Sequence, residues 1–293
     1  MKARCVLQAQ AGLAEGPHWW AEKGVLLWVD IEASRVGLFD PVTGRNRFLV
    51  VPSHVGAVVP MSDGELLVAT AQGFVRLDPD SGVVSSLQDP EHDQPGNRFN
   101  DGKCDPWGRF WAGSMAYDFA AGAGSLWRVN ADFSCVRQRQ GLTISNGLAW
   151  SQDRGTLYLI DSPTRQVLAF PLTSSGDFSG EATPCITIPA AWDALPDGMC
   201  IDEEGKLWIA LFGGGAVTRW DPVSGLLLER LELPCRQVTS CCFGGPNLDQ
   251  LFVTTARQEM DAAAIEAEHL AGGVFRADVG VKGLAAACFQ VGG

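Results

Sequence analysis

Four short polar–glycine steps carry the residues most able to do chemistry: Glu15-Gly16, Asp101-Gly102, Asn146-Gly147 and Asp197-Gly198. Carboxylate and amide oxygens are hard donors. Two carboxylates with one amide suit Ca2+, Mg2+ or Mn2+, with water filling the remaining positions. Two carboxylates about 4 Å apart repel by about 4 kcal/mol at an effective dielectric near 20, so a convergent set either raises a pKa or holds a cation. Taken singly, each step reads as a turn in which Asp or Asn caps the backbone and Gly relieves it. Four of them in one register favour the metal reading.

That register comes from a repeat. About ten residues beyond each step lies an apolar quartet: "LWVD" at Leu27, "FWAG" at Phe110, "LYLI" at Leu157 and "LWIA" at Leu207. Two more quartets, "LVAT" at Leu67 and "LFVT" at Leu251, follow Val55-Gly56 and Thr239-Ser240. The six recur every 40 to 50 residues or so. Turn-forming stretches such as "SDGE", "DPWG" and "DEEG" precede most of them, and second apolar runs enter turns such as "DPVTG" and "DPDSG". Asp-Pro-x-x-Gly suits a tight reversal, because Pro presets φ and Gly accepts the conformation that turns the chain.

Each unit therefore reads as four strands rich in β-branched and aromatic residues, with almost no helical periodicity. A period in the forties with four strands per unit predicts an all-β fold, a six-bladed β-propeller with four-stranded antiparallel blades, as a single domain over 1–293. The polar–glycine steps then begin the innermost strands and point Glu15, Asp101, Asn146 and Asp197 at a central channel. A segment near Cys5–Gln8 is expected to close the ring in the last blade, hiding its edge. The Ala/Glu-rich stretch Arg257–Leu270 predicts a short helix inserted in that blade.

Composition narrows the partners. A net charge of −12 from 22 basic and 34 acidic side chains disfavours a nucleic-acid backbone. No stretch is apolar enough for a membrane span, and the N-terminal apolar run is too short and polar for a signal peptide. Nine scattered cysteines make a poor disulfide framework and fit reduced, mostly buried thiols in a cytoplasmic protein. His18, His54, His92 and His269 lack zinc-ligand spacing. "AGAGSLW" and "FGGGAV" lack the Lys and following helix of a phosphate loop, and no GxSxG elbow is present.

Five motifs, "AEGPHW", "NRFNDGKCDPWGRFWAGSM", "SNGLAWS", "PDGMCIDEEGKLWIA" and "FGGPNLDQLFVTTAR", resemble the senescence-marker-protein-30/gluconolactonase/luciferin-regenerating-enzyme family from end to end. Members of that family are six-bladed propellers with one divalent metal in the channel. Many hydrolyse sugar-acid lactones; some are described chiefly as calcium-binding proteins. The resemblance implies Glu15, Asn146 and Asp197 as ligands of one cation (Ca2+, Mg2+, Mn2+, Zn2+ or Fe2+), with Asp197 doubling as general base. It implies Arg98 and Asn100 as contacts to the sugar. Asp118 takes the place of a further acidic contact, commonly Glu, in a loop that diverges from the family pattern. Asp101 stands close behind the ligands and competes as the base, since a ligating carboxylate is a weak one.

The expected reaction is metal-dependent hydrolysis of an aldonolactone to its aldonic acid, by a monomer or small homo-oligomer that binds neither nucleic acid nor membrane. A lactone carbonyl needs polarising and a water needs delivering, and a channel cation can serve both ends. Two alternatives use the same ligands: a calcium- or sugar-binding protein without turnover, and a hydrolase of other esters or phosphotriesters.

Overall fold

The computed structural model describes residues 1–292. The chain opens with β1 (Arg4–Leu7), then lays down β2 (Ala14–Trp20), β3 (Val25–Asp30), β4 (Arg35–Asp40) and β5 (Arg45–Val50) as the first blade. The second blade is β6 (Val55–Pro60), β7 (Leu66–Thr70), β8 (Gly73–Leu77) and β9 (Val84–Ser86). The third is β10 (Asn97–Cys104), β11 (Phe110–Ala116), β12 (Gly124–Val129) and β13 (Cys135–Leu142). The fourth is β14 (Ser145–Trp150), β15 (Thr156–Asp161), β16 (Gln166–Pro171) and β17 (Thr183–Thr187). The fifth is β18 (Leu195–Ile201), β19 (Leu207–Phe212), β20 (Ala216–Asp221) and β21 (Leu226–Glu232). The sixth takes β22 (Val238–Gly244), β23 (Gln250–Thr255) and β24 (Val274–Asp278), and borrows β1 as its outer strand. Innermost strands touch in ring order β2, β6, β10, β14, β18, β22 and back to β2, which makes a six-bladed propeller.

All six quartets fall in the second strand of a blade, as their spacing predicts. Trp28, Trp111 and Trp208 hold the same quartet position in alternate blades and are fully buried. Burying an indole of roughly 200 Å² contributes about 5 kcal/mol, provided its N–H finds an acceptor. The turn aspartates supply one. Asp105 Oδ2 accepts from Trp111 Nε1 (2.8 Å), and Asp202 Oδ2 accepts from Trp208 Nε1 (3.0 Å). Their Oδ1 atoms accept backbone N–H groups within the turns "DPWGR" and "DEEGK". One buried carboxylate thus fixes both the reversal and the tryptophan beyond it. In the first blade Trp28 Nε1 donates instead to Asn46 Oδ1 on β5 (3.0 Å).

The closing strand lies where the sequence puts it, one residue earlier: Arg4 pairs with Arg276 and Cys5 with Phe275, antiparallel. The helix between β23 and β24 is α1 (Ala262–Ala267), capped by Asp261, whose Oδ1 accepts from Ala264 N (2.8 Å). Among the described residues no helix is long and apolar enough to cross a membrane. All nine cysteines are free thiols.

Beyond β24 the chain does something the repeat does not foretell. It crosses one face of the ring as an extended strap. Gly283 N–H donates to Leu248 O (2.8 Å), Phe289 N–H to Pro60 O (2.8 Å) and Gln290 N–H to Gly108 O (2.9 Å). The strap therefore ties the sixth blade to the second and third, with Phe289 wholly buried beneath it.

Glycine is required where inner strands nearly meet. A Cβ on Gly147 would come within 2.7 Å of Asp197 O in the next blade, and one on Gly198 would overlap Ser240 Oγ. Overpacking of this kind costs about 1–3 kcal/mol, so Gly198→Ala is expected to lower the unfolding free energy by that amount in urea titration. An unchanged midpoint would mean that the fifth and sixth blades can part without penalty.

Candidate functional site

Each innermost strand loses register with its neighbour at its polar–glycine step, or at the equivalent place in the blades that lack one. The irregularities fall at Glu15/His18, Val55/Ala57, Phe99/Gly102, Asn146/Leu148, Pro196/Met199 and Val238/Ser240. A bulge re-aims side chains and frees backbone groups. The freed N–H groups are used at once: Gly16 N–H donates to Glu15 Oε2 (2.6 Å), Gly102 N–H to Asp101 Oδ1 (2.7 Å) and Gly147 N–H to Asn146 Oδ1 (3.2 Å). Turn capping and convergence on the channel are therefore the same device. Capping occupies one carboxylate oxygen of Glu15 and of Asp101 and leaves the other to face its neighbours.

Glu15, Asp101, Asn146 and Asp197 are all buried. Burial pushes the Glu15 carboxyl well above the usual range; the negative charges of Asp197 and Asp101 push it further, and Gly16 N–H and Arg98 pull back. Asp197 is also driven well up, first by burial and then by Asp101, against hydrogen bonds with the Asn146 and Glu15 side chains and the charge of Arg98. Asp101 is raised by burial, with Lys103 and Gly102 N–H opposing. Three acids from three blades thus share one low-dielectric space.

The oxygen set fits a hard divalent cation. Asn146 Nδ2 donates to the buried Ser162 Oγ (3.1 Å), which fixes the amide beside the carboxylates. Glu15, Asn146 and Asp197 then offer two anionic oxygens and one neutral one, and the repulsion among the acids is what a cation would relieve. Among the described residues no three His, Cys, Asp or Glu side chains group as metal ligands by themselves.

Arg98 is buried beside this cluster and donates through Nη1 to Asn100 Oδ1 (2.8 Å) and Phe99 O (3.0 Å). Asn100 in turn donates from Nδ2 to Ser145 O (3.0 Å). Both ends of Asn100 are engaged within the protein, so it aims the guanidinium. Arg98 Nε and Nη2 carry no protein hydrogen bond among the described residues, which leaves that edge of the guanidinium without a protein acceptor. Asp118 lies away from the cluster, exposed in the turn after β11, where its Oδ1 accepts from Ala120 N (3.1 Å).

Its neighbour Tyr117 is the residue that reasoning from motifs missed. Its hydroxyl lies 3.1 Å from His54 Nδ1, bridging the third and second blades. Burial raises the phenol's pKa and the nearby Arg98 charge lowers it. Tyr117 and Phe119, in and just after the turn that follows β11, are 45% and 55% exposed. His18 belongs elsewhere: it is buried, and burial and Lys103 hold its ring neutral, with a pKa lowered to about 3.

A family model described as the SMP-30/Gluconolactonase/LRE-like region matches residues 13–257. The chain is 37% identical to regucalcin of Xenopus laevis over 99% of its length and 98% of the relative's. It is also 37% identical to the provisionally named sugar lactone lactonase YvrE of Bacillus subtilis, covering 95% of this chain and 96% of that one. Among solved structures, a calcium-binding protein, regucalcin, from Agrobacterium tumefaciens superposes with a TM-score of 0.94 at 30% identity, over 99% of this chain and 97% of the other.

Proposed function

The chain belongs to the SMP-30/gluconolactonase/LRE-like family, and from that premise we propose that it is a divalent-metal-dependent hydrolase that opens a sugar (aldono-) lactone to the corresponding aldonic acid. The observation that carries this reading is the convergence of three buried carboxylates and an amide, from four blades, beside a half-engaged arginine. Glu15, Asn146 and Asp197 would hold one cation. When bound, that cation supplies polarisation of the lactone carbonyl and an acidified water.

The remaining work falls to side chains. Arg98, held by Asn100, presents its free edge to the substrate's hydroxyl oxygens. Tyr117 and Phe119 offer an aromatic wall to the C–H face of a sugar ring. Asp197 takes the proton of the attacking water, with Asp101 as the competing base. Asp118, exposed next to Tyr117, would meet the far end of a longer polyol. Nine free thiols suit a reducing compartment, so the reading includes a cytoplasmic location. The calcium-binding description of the Agrobacterium relative supports a second reading, in which the same oxygens hold the cation without turnover.

The deciding experiment strips the protein with a chelator, refills it with Ca2+, Mg2+, Mn2+, Zn2+ or Fe2+, and assays a panel of aldonolactones and a phosphotriester. Hydrolysis of at least one lactone, lost on stripping and restored by a cation, is expected. No turnover with any cation, together with calorimetric cation binding, would leave only the second reading. Arg98→Ala should raise KM for a polyhydroxy lactone about tenfold or more, the scale of a lost charged hydrogen bond, and move kcat far less. Unchanged kinetic constants would remove Arg98 from the substrate site.

A further inference from the structure

A cavity lies further along the innermost strands than the acids, a far chamber of the channel. Lys103, two residues beyond Asp101 on β10, reaches past the fourth blade, and its Nζ donates to Met199 O on β18 (2.6 Å), so its side chain spans the third and fifth blades. The cavity has a volume of about 470 Å³. Trp150, Cys200, Cys242 and Phe243 wall it, the strap at 284–287 closes one flank, and Gln152 and Arg154 stand exposed at its rim.

The charges lining it are at odds with the rest of the molecule. The protein has 34 acidic side chains and a net charge of −12. The cavity lining contains none of the acids, but does contain Lys103, Arg154 and His18. Among the described residues no carboxylate lies within ion-pair distance of Lys103. An ammonium has three donors, and the Met199 carbonyl takes one.

We propose that this far chamber is a second binding site, for a small organic monocarboxylate with an apolar, preferably aromatic, body. Its carboxylate would accept from the remaining Lys103 donors, with Arg154 drawing it in at the rim. Its apolar body would pack on Trp150 and Phe243, and the volume lies within the range of small-molecule pockets. A sugar acid is a poor fit, because its hydroxyls would be buried against thiols and alkyl groups without partners. The site is thereby distinguished from the lactone mouth by chemistry as well as position, and it stands whether or not the lactonase reading does.

The test titrates 2-naphthoate and its uncharged analogue 2-naphthamide into the full chain by isothermal calorimetry, with and without saturating gluconate. One-site binding of naphthoate is expected, at least tenfold tighter than the amide and unaffected by gluconate. Lys103→Met should weaken it at least tenfold. Arg154→Asn changes an exposed residue at φ 62°, a conformation Asn tolerates, and should weaken it several-fold even if the lysine variant does not fold. No binding, equal affinity for acid and amide, or displacement by gluconate would overturn the proposal; displacement would place the anion on Arg98 instead.

Discussion

Replacing Asp197 with Asn is expected to lower kcat/KM for the best lactone by about 10³-fold, within the range that a positioned general base contributes. The substitution keeps the side chain's shape and one oxygen able to face a cation, but removes the charge and the basic site. The neighbouring Gly198 leaves no room for compensating backbone movement, since Ser240 packs directly against it. The readout is kcat/KM with bound metal quantified by elemental analysis on the same sample. Loss of rate with metal retained assigns the proton to Asp197. Wild-type rates would transfer that role to Asp101, and Asp101→Asn, assayed in parallel, would then show the loss.

The second large effect concerns stability. The carboxyls of Glu15, Asp101 and Asp197 are raised in the folded protein, so the native state binds protons more tightly than the unfolded chain does. Stability from this source is fully present below the ordinary carboxyl value of about 4 and is lost as pH rises through the raised values. Metal-free protein should therefore carry a penalty at pH 7 that Glu15→Gln removes. The expected result is a stripped variant melting a few degrees above stripped wild type at pH 7, with the difference vanishing near pH 4. Adding a cation at about 100 times its Kd should stabilise wild type by about 2.7 kcal/mol and the variant far less. Equal metal-induced shifts in the two proteins would take Glu15 out of the ligand set.

The blades were legible because a quartet such as "FWAG" must be buried on both faces, and its period survives loops of different length. The convergence of Glu15, Asp101, Asn146 and Asp197 was legible for the same reason: ring geometry turns equal sequence offsets into a shared axis. The strap was not. "VGVKGLAAACFQVG" has neither alternation nor helical period, because its backbone bonds go to scattered partners and its buried anchors, Val279 and Phe289, stand ten positions apart. Tyr117 was hidden as well, since its role depends on a hydrogen bond to His54, 63 positions away on another blade. Lys103 sits inside the "NDGK" motif, yet no motif conveys that its side chain reaches Met199 in the fifth blade.

The pairing of Arg4 with Arg276 imposes an order in time. β1 precedes every other described strand, and β24, with which it pairs, follows all of them. Blades one to five can form from contacts local in sequence as each emerges, whereas the sixth waits for the whole chain. Closing that loop incurs the largest chain-entropy cost in the molecule and makes ring closure the natural slow step of folding. Until it happens β24 shows an open edge, and the nascent protein is most exposed to mispairing with other chains in that interval.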